Sequence, residues 1–223
     1  MIQLNRKMIF VKVNGLEDTL NSKKFGISGY PTIVLLDRKG QEIDRIVGYE
    51  PPAEFLNSVQ MYLEGKETLA DYLQRAEQSP DSVGLQFALA EKCDGRSNPA
   101  EAKKYYMAVI ERDPQNESGF TDKALHSYAW LLFRDKDVQG AIDCEQKIID
   151  QFPNSDLFAE AHQYVPYYYS RWSGQLLESG DKELAATYRE KSIELFEAFI
   201  EKFPDSEDVE WAKKEIAKLK EIT

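Results

Sequence analysis

The side chains that could carry covalent or metal chemistry are few. The 223-residue chain has two cysteines, Cys93 and Cys144, and two histidines, His126 and His162. Disulfide exchange needs two thiols held close, one ionised by a helix N-terminus or a nearby cation. Cys93 and Cys144 stand 51 positions apart and form no CxxC. Their surroundings, "FALAEKCDG" and "AIDCEQ", are acidic, which raises a thiol pKa rather than lowering it. Cys93 falls on an apolar helical stripe and reads as a small core residue; Cys144 lies one residue off its packing pattern. Two Cys and two His at these spacings do not make a closed zinc site. His126 and His162 read as packed or solvated side chains. No paired-carboxylate, phosphate-loop or nucleophile-elbow pattern rises above background. The residues therefore offer no catalytic or metal-ligating candidate and imply no cofactor.

Recognition of an extended backbone is the other chemistry the chain suggests. The stretch "KFGISGYPTIVLLD", from Lys24 to Asp37, reads as a helix end, a tight Gly-Tyr-Pro-Thr turn and a buried strand. The elements around it must position that turn. Ile9 to Val13 is a short apolar, β-branched run and predicts a strand. Leu16 to Phe25 predicts a short helix, with Gly26 as the residue after its cap. Thr32 to Asp37 predicts a strand buried on both faces. The run Asp37-Arg38-Lys39-Gly40 predicts a hairpin turn, and Gln41 to Val47 the strand that pairs back. Pro51-Pro52 opens a last helix with Phe55, Leu56, Val59 and Leu63 on one face, ended by Gly65. The predicted order is β-α-β-β-α, with the first two strands parallel.

In that order, the strand "VKVN", the approach "KFGISGYPT", the strand "IVLLD", the turn "RKG", the ending "IVGY" and the closing helix resemble the C-terminal half of a thioredoxin-like domain. The resemblance covers about a quarter of the chain. It implies a cis bond before Pro31. It implies that Tyr30 offers its N–H and C=O to an extended peptide, that Thr32 starts the adjoining strand, and that Gly48 keeps the groove wall open. Without the resemblance, Gly29-Tyr30-Pro31 reads equally well as a tight entry to a strand. In relatives the CxxC lies N-terminal to the strand matching Ile9–Val13, and Met1 to Lys7 resembles the tail of the helix that carries it. The strand that would sit between Ile9–Val13 and Thr32–Asp37 is absent, leaving an open sheet edge through which the chain could self-associate. The expectation is an N-terminally truncated piece of a longer protein; an altered sheet and a strand lent by a partner are the alternatives.

Residues 67–223 carry no strand pattern but a recurring helix ending: "ERDPQNES", "DQFPNSD" and "EKFPDSED". Counting back 12, 8 and 5 positions from Pro114 gives Ala102, Tyr106 and Val109; from Pro204 it gives Ser192, Phe196 and Phe199. The same count from Pro153 gives Ala141 and Ile148, with Glu145 breaking the pattern between them. Stripes Leu85/Leu89/Cys93 and Leu125/Tyr128/Leu132 precede the first two units. A small residue, then large apolar ones, then Pro past the helix end resembles the second helix of a tetratricopeptide repeat. The resemblance implies stacked helical hairpins that dock protein partners. Seven or eight helices are expected, the last a cap from Ser206 to Leu219. "FPNSDLFAEA" and "FPDSEDVEWA" resemble irregular repeats of bacterial envelope assembly proteins. That implies a cell-envelope rather than a cytoplasmic setting. Pro166 should kink or restart its helix. The aromatic run around it makes Tyr167, Tyr168, Arg171 and Trp172 candidate partner-binding residues, or else gap-filling core.

Composition bounds the rest. The chain is 42% hydrophobic and 30% charged, as a folded domain requires and a disordered one does not. Net charge is −11 and uneven: residues 1–66 hold 9 basic and 8 acidic side chains, and residues 67–223 hold 19 and 31. The shift marks a boundary near Gly65-Lys66, giving domains 1–65 and 66–223. The acidity excludes nucleic acid as a partner, since phosphate backbones would be repelled. No apolar run is long enough to span a bilayer. The expected fold class is therefore α/β plus all-α: a partial thioredoxin-like unit followed by a tetratricopeptide-like solenoid. Its expected role is handling thiols or peptides, or acting as a non-enzymatic scaffold.

Overall fold

A computed structural model describes residues 8–222. By internal contacts the chain forms two compact units, 1–105 and 106–223, and the division falls inside a helix. Composition shifts forty residues earlier, so the charge boundary and the packing boundary do not coincide. The reason is an ion network, described below, that ties the sheet to the helices up to residue 96.

The first unit contains α1 (Thr19–Lys24), β1 (Thr32–Leu36), β2 (Glu42–Val47), α2 (Pro52–Leu63), α3 (Leu69–Gln78), α4 (Val83–Asp94) and the start of α5 (Pro99–Arg112). β1 and β2 form an antiparallel hairpin, Thr32 opposite Val47 and Leu35 opposite Asp44, with a bulge before Leu36. The Asp37 carboxylate accepts from the Lys39 and Gln41 amides at 2.8 Å each, and Gly40 takes the left-handed conformation that closes the turn. Leu35, Ile46 and Val59 form the core between the hairpin and α2.

Three expectations fail here. Ile9–Val13 is not a strand, and Ile9 and Val11 are largely exposed. β1 is not buried on both faces, since only Leu35 is covered. The first helix is shorter than predicted, and Leu16 and Leu20 lie in solvent. The physical cause is shared. Among the described residues no strand lies beside the outer edge of β1, so an apolar run there has neither ladder partner nor cover. The reading of Met1–Lys7 as a helix tail concerns residues outside the described ones.

The second unit is all helix: the rest of α5, then α6 (Thr121–Arg134), α7 (Val138–Gln151), α8 (Phe158–Ser179), α9 (Lys182–Lys202) and α10 (Val209–Glu221). With α3 to α5, eight helices follow residue 67 among the described residues. The counted positions are all interior: Ala102, Ala141 and Ser192, then Tyr106, Glu145 and Phe196, then Val109, Ile148 and Phe199. The helix ends repeat too. Phe152 and Phe203 cap α7 and α9 with φ near −125° and ψ near 58°, outside the helical region that a following proline disfavours. In all three turns the amide two residues past the proline bonds back, Asn116 to Asp113, Ser155 to Phe152 and Ser206 to Phe203, at 2.9–3.0 Å. Pro166 neither restarts nor ends α8, which runs through it for 22 residues. The buried Ser192 hydroxyl donates to the Pro166 carbonyl at 2.8 Å, fastening α9 to that turn.

Candidate functional site

The loop before β1 is built from short-range bonds. α1 is capped by the Asp18 carboxylate and closes at Phe25, after which Gly26 takes φ +57°. Glycine is required there twice over, because a Cβ would also stand 2.9 Å from the Arg96 carbonyl. The Ser97 hydroxyl donates to the Gly26 carbonyl at 2.9 Å and fixes the loop against the end of α4. The Tyr30–Pro31 peptide bond is cis. Thr32 donates its hydroxyl to the Gly29 carbonyl at 2.8 Å, and the Gly48 amide donates to the Pro31 carbonyl at 2.8 Å. Thus Pro31, Thr32 and Gly48 are held together across the mouth of the hairpin. A Cβ on Gly48 would meet no atom within 4 Å, so that wall is open. Tyr30 is 59% exposed and its ring lies on Gly15, where a Cβ would come within 2.5 Å of it. Neither the N–H nor the C=O of Tyr30 has a hydrogen-bond partner among the described residues.

Behind the hairpin lies a network that the sequence did not announce. Asp44 on β2 is completely buried. It accepts from the Arg45 amide (2.7 Å), the Leu69 amide (2.7 Å), Lys92 Nζ (3.0 Å) and the Arg96 guanidinium (2.9 Å). Burial works against its ionised form. The Arg96 and Arg45 donors and the Lys92 charge outweigh that and hold the carboxyl below the usual range. Burial pushes the Lys92 ammonium down, and Lys92 lies 4.2 Å from the Tyr62 ring centroid. Burial and Asp44 push the Tyr62 phenol up to about 12. Glu42 holds Arg45 by two bonds of 2.8 and 2.6 Å, and Arg45 donates to the Gly95 carbonyl at 3.0 Å. One carboxylate thus pins β2, α3 and α4 together. Its only sequence signal was the charged run Asp44-Arg45 between Ile43 and Ile46.

The aromatic run on α8 is divided among three faces. Tyr168 is completely buried, which corrects its reading as a partner-binding residue; its hydroxyl has no partner among the described residues. Trp172 packs on Tyr188 of α9 with centroids 4.4 Å apart, so it serves the α8–α9 seam. Tyr167 is half-buried and turned toward Trp211 of α10 at 6.2 Å. Arg171 stands 4.9 Å from the Tyr167 ring centroid and 3.6 Å from the Glu215 carboxylate. Of the four candidates only Tyr167 and Arg171 share an accessible face.

His126 and Glu145 do more than pack. Glu145 is completely buried, with Oε1 3.0 Å from His126 Nδ1, an ion-pair distance but off the line of a hydrogen bond. Burial pushes the Glu145 carboxyl up. Burial opposes the His126 charge, but the Glu145 and Glu160 carboxylates overcome it and raise the imidazole. For His162, burial and Lys202 at 2.8 Å push the imidazole down to about 4. Both cysteines are free. Burial and then Glu101 raise the Cys93 thiol; burial and then Glu145 push Cys144 up to about 12. No group of Cys, His, Asp and Glu side chains suited to a metal occurs among the described residues. No described helix is long and apolar enough to cross a membrane.

A thioredoxin-like domain family matches residues 3–62, and a tetratricopeptide repeat family matches residues 123–155. Among curated proteins none matches the chain. Among solved structures, the crystal structure of MamA aligns with a TM-score of 0.44 and 16% identity, over 78% of this chain and 95% of that one.

Proposed function

From a chain that joins a thioredoxin-like domain at residues 3–62 to tetratricopeptide-repeat helices, we propose a docking protein that grips extended peptide at Tyr30–Thr32 and a protein partner on its helical region. The observation that carries the first half is the backbone of Tyr30, whose N–H and C=O have no partner among the described residues. They lie next to the unpaired edge of β1. An added strand satisfies such groups by main-chain bonds, with affinity from the backbone and selectivity from the Tyr30 ring. Gly48 leaves room for it. The second half is supported by the repeat family, whose helical pairs present surfaces for other proteins.

The role does not include disulfide exchange by this chain. That chemistry needs a thiolate beside a second thiol. Cys93 and Cys144 are both pushed toward the thiol form, and no CxxC occurs. The domain boundary at 65/66 remains part of the same reading: residues 1–65 supply the peptide grip and residues 66–223 the partner surface. The experiment is a titration of isotope-labelled protein with a blocked extended peptide. Saturable shifts at the Tyr30, Thr32 and Gly48 amides are expected. Shifts confined elsewhere, or none at a millimolar excess, sink the peptide grip. A disulfide-reduction rate that disappears in Cys93→Ser or Cys144→Ser sinks the redox-silent reading.

A further inference from the structure

Within the second unit, α6, α8 and α10 face a pocket of about 290 Å3 lined by Trp130, Gln163, Tyr164, Tyr167, Asp208 and Trp211. Four of these six side chains are aromatic, one is a carboxylate and none is a cation. The rings brace one another: Tyr164 meets Tyr167 edge-on at 5.9 Å, and Trp211 meets Phe196 edge-on at 5.5 Å. Trp130 stays 39% exposed at the mouth. Asp208 precedes α10 without capping it by its side chain, and its carboxylate has no ion-pair partner among the described residues.

We infer that this pocket receives the Lys or Arg side chain of an extended partner peptide, held by ring faces and the Asp208 carboxylate. The inference rests on the partner-docking reading and names the chemistry of the partner. A cation over aromatic faces gains from the ring quadrupole, most of all where water is partly excluded. The same surface already shows the arrangement once, where the Arg171 guanidinium lies between the Tyr167 ring and the Glu215 carboxylate. Charge points the same way. Residues 106–223 hold 14 basic and 24 acidic side chains, so the unit attracts basic segments before contact. The volume suits one long side chain, lying just under the range of sites for whole small molecules. An acidic side chain would be repelled by Asp208, and a purely apolar one would bury that carboxylate unpaired.

The test uses the full chain and pools of blocked peptides with randomised flanks and a fixed central Lys, Arg, norleucine, Gln or Glu, read by fluorescence polarisation. Lys and Arg pools should bind about 5- to 30-fold more tightly than norleucine. Asp208→Asn and Trp130→Ala should each erode that preference while the helical circular-dichroism signal is retained. The isosteric Asn leaves the fold intact because the Asp208 side chain caps nothing. Equal binding of cationic and norleucine pools, or a preference untouched by both substitutions, overturns the inference and leaves peptide docking standing. Failure of every pool to bind overturns both.

Discussion

Two carboxylates, Asp44 in the first unit and Glu145 in the second, are both completely buried, and they behave in opposite ways. Asp44 is met by two backbone amides and two cationic side chains. Glu145 faces one imidazole in poor alignment, and neither of its oxygens has a hydrogen-bond partner among the described residues. So the first carboxyl is held below its usual range and the second is pushed above it. A buried charge is a fastener only when its lone pairs are filled; otherwise it is a liability that its neighbours dilute. Position explains the difference. Asp44 sits where three elements converge on it, whereas Glu145 occupies a seat that Tyr106 and Phe196 fill in the other units.

The strongest way to break this contrast is Asp44→Ala. It strands Lys92, leaves Arg96 with only Glu42 at 3.1 Å as an ionic partner, and should cost about 3–5 kcal/mol in the first unit. Exchange of the Leu69 and Arg45 amides, which now bond to Asp44, would report the loss directly. All three tryptophans, Trp130, Trp172 and Trp211, lie in the second unit, so its unfolding can be followed separately. An unchanged Leu69 amide would mean that the network is ornamental.

The reverse expectation holds for His126→Leu/Glu145→Phe. Replacing a poorly bonded buried pair with apolar side chains should leave the tryptophan-monitored transition unchanged or raise it, by about 1–2 kcal/mol. A clear destabilisation would show that Glu145 is a fastener after all. The two sites also part company with pH. His126 and Glu145 are both raised, so their favourable protonation is complete below the ordinary Glu value of 4.5 and is lost as pH climbs through their folded values. Asp44 is lowered, so its contribution is present above 3.8 and disappears as pH falls through its folded value. Denaturation across pH should therefore weaken the second unit on the alkaline side. The double substitution should flatten that slope, and a slope that persists would place its origin elsewhere.

Tyr62→Phe sharpens the first site at smaller scale. It keeps the ring under Lys92 and removes only the 3.1 Å bond to the hydroxyl, a change of about 0.5–1.5 kcal/mol. Smallest of all is Gly15→Ala. Its methyl would collide with the Tyr30 ring, which is exposed enough to swing away. Stability should move by less than about 0.5 kcal/mol, while the Tyr30 ring resonances shift. Unmoved resonances would mean that the ring does not rest there.

The repeat register was legible from three prolines, because a proline fixes a helix end and helical periodicity then fixes the interior positions. The hairpin from Thr32 to Val47 and its turn were legible from turn chemistry, whereas the loop at Tyr30–Pro31 was legible only through the thioredoxin-like resemblance. What escaped was pairing over distance. Asp44 meets Lys92 across 48 positions, and Trp130 shares a pocket with Trp211 across 81. Neither separation has a period. Ile9–Val13 failed in the opposite sense: its residues favour a strand, but a strand exists only beside another. Glu145 was noticed as an interruption; that His126 would answer it was not.

One turn geometry closes α7 and α9 alike, with the same backward bonds after each proline; the α5 turn shares the first bond but is longer and holds Asn116 at φ +57°. Junctions that match can be exchanged. Unequal crossing-over between the codons of these two turns would delete or duplicate the α8–α9 pair without inventing new backbone at the seam. His126 and Glu145 lie on α6 and α7, upstream of that cassette. A lineage could therefore lengthen this protein without copying the exceptional carboxylate or parting it from its nearest partner.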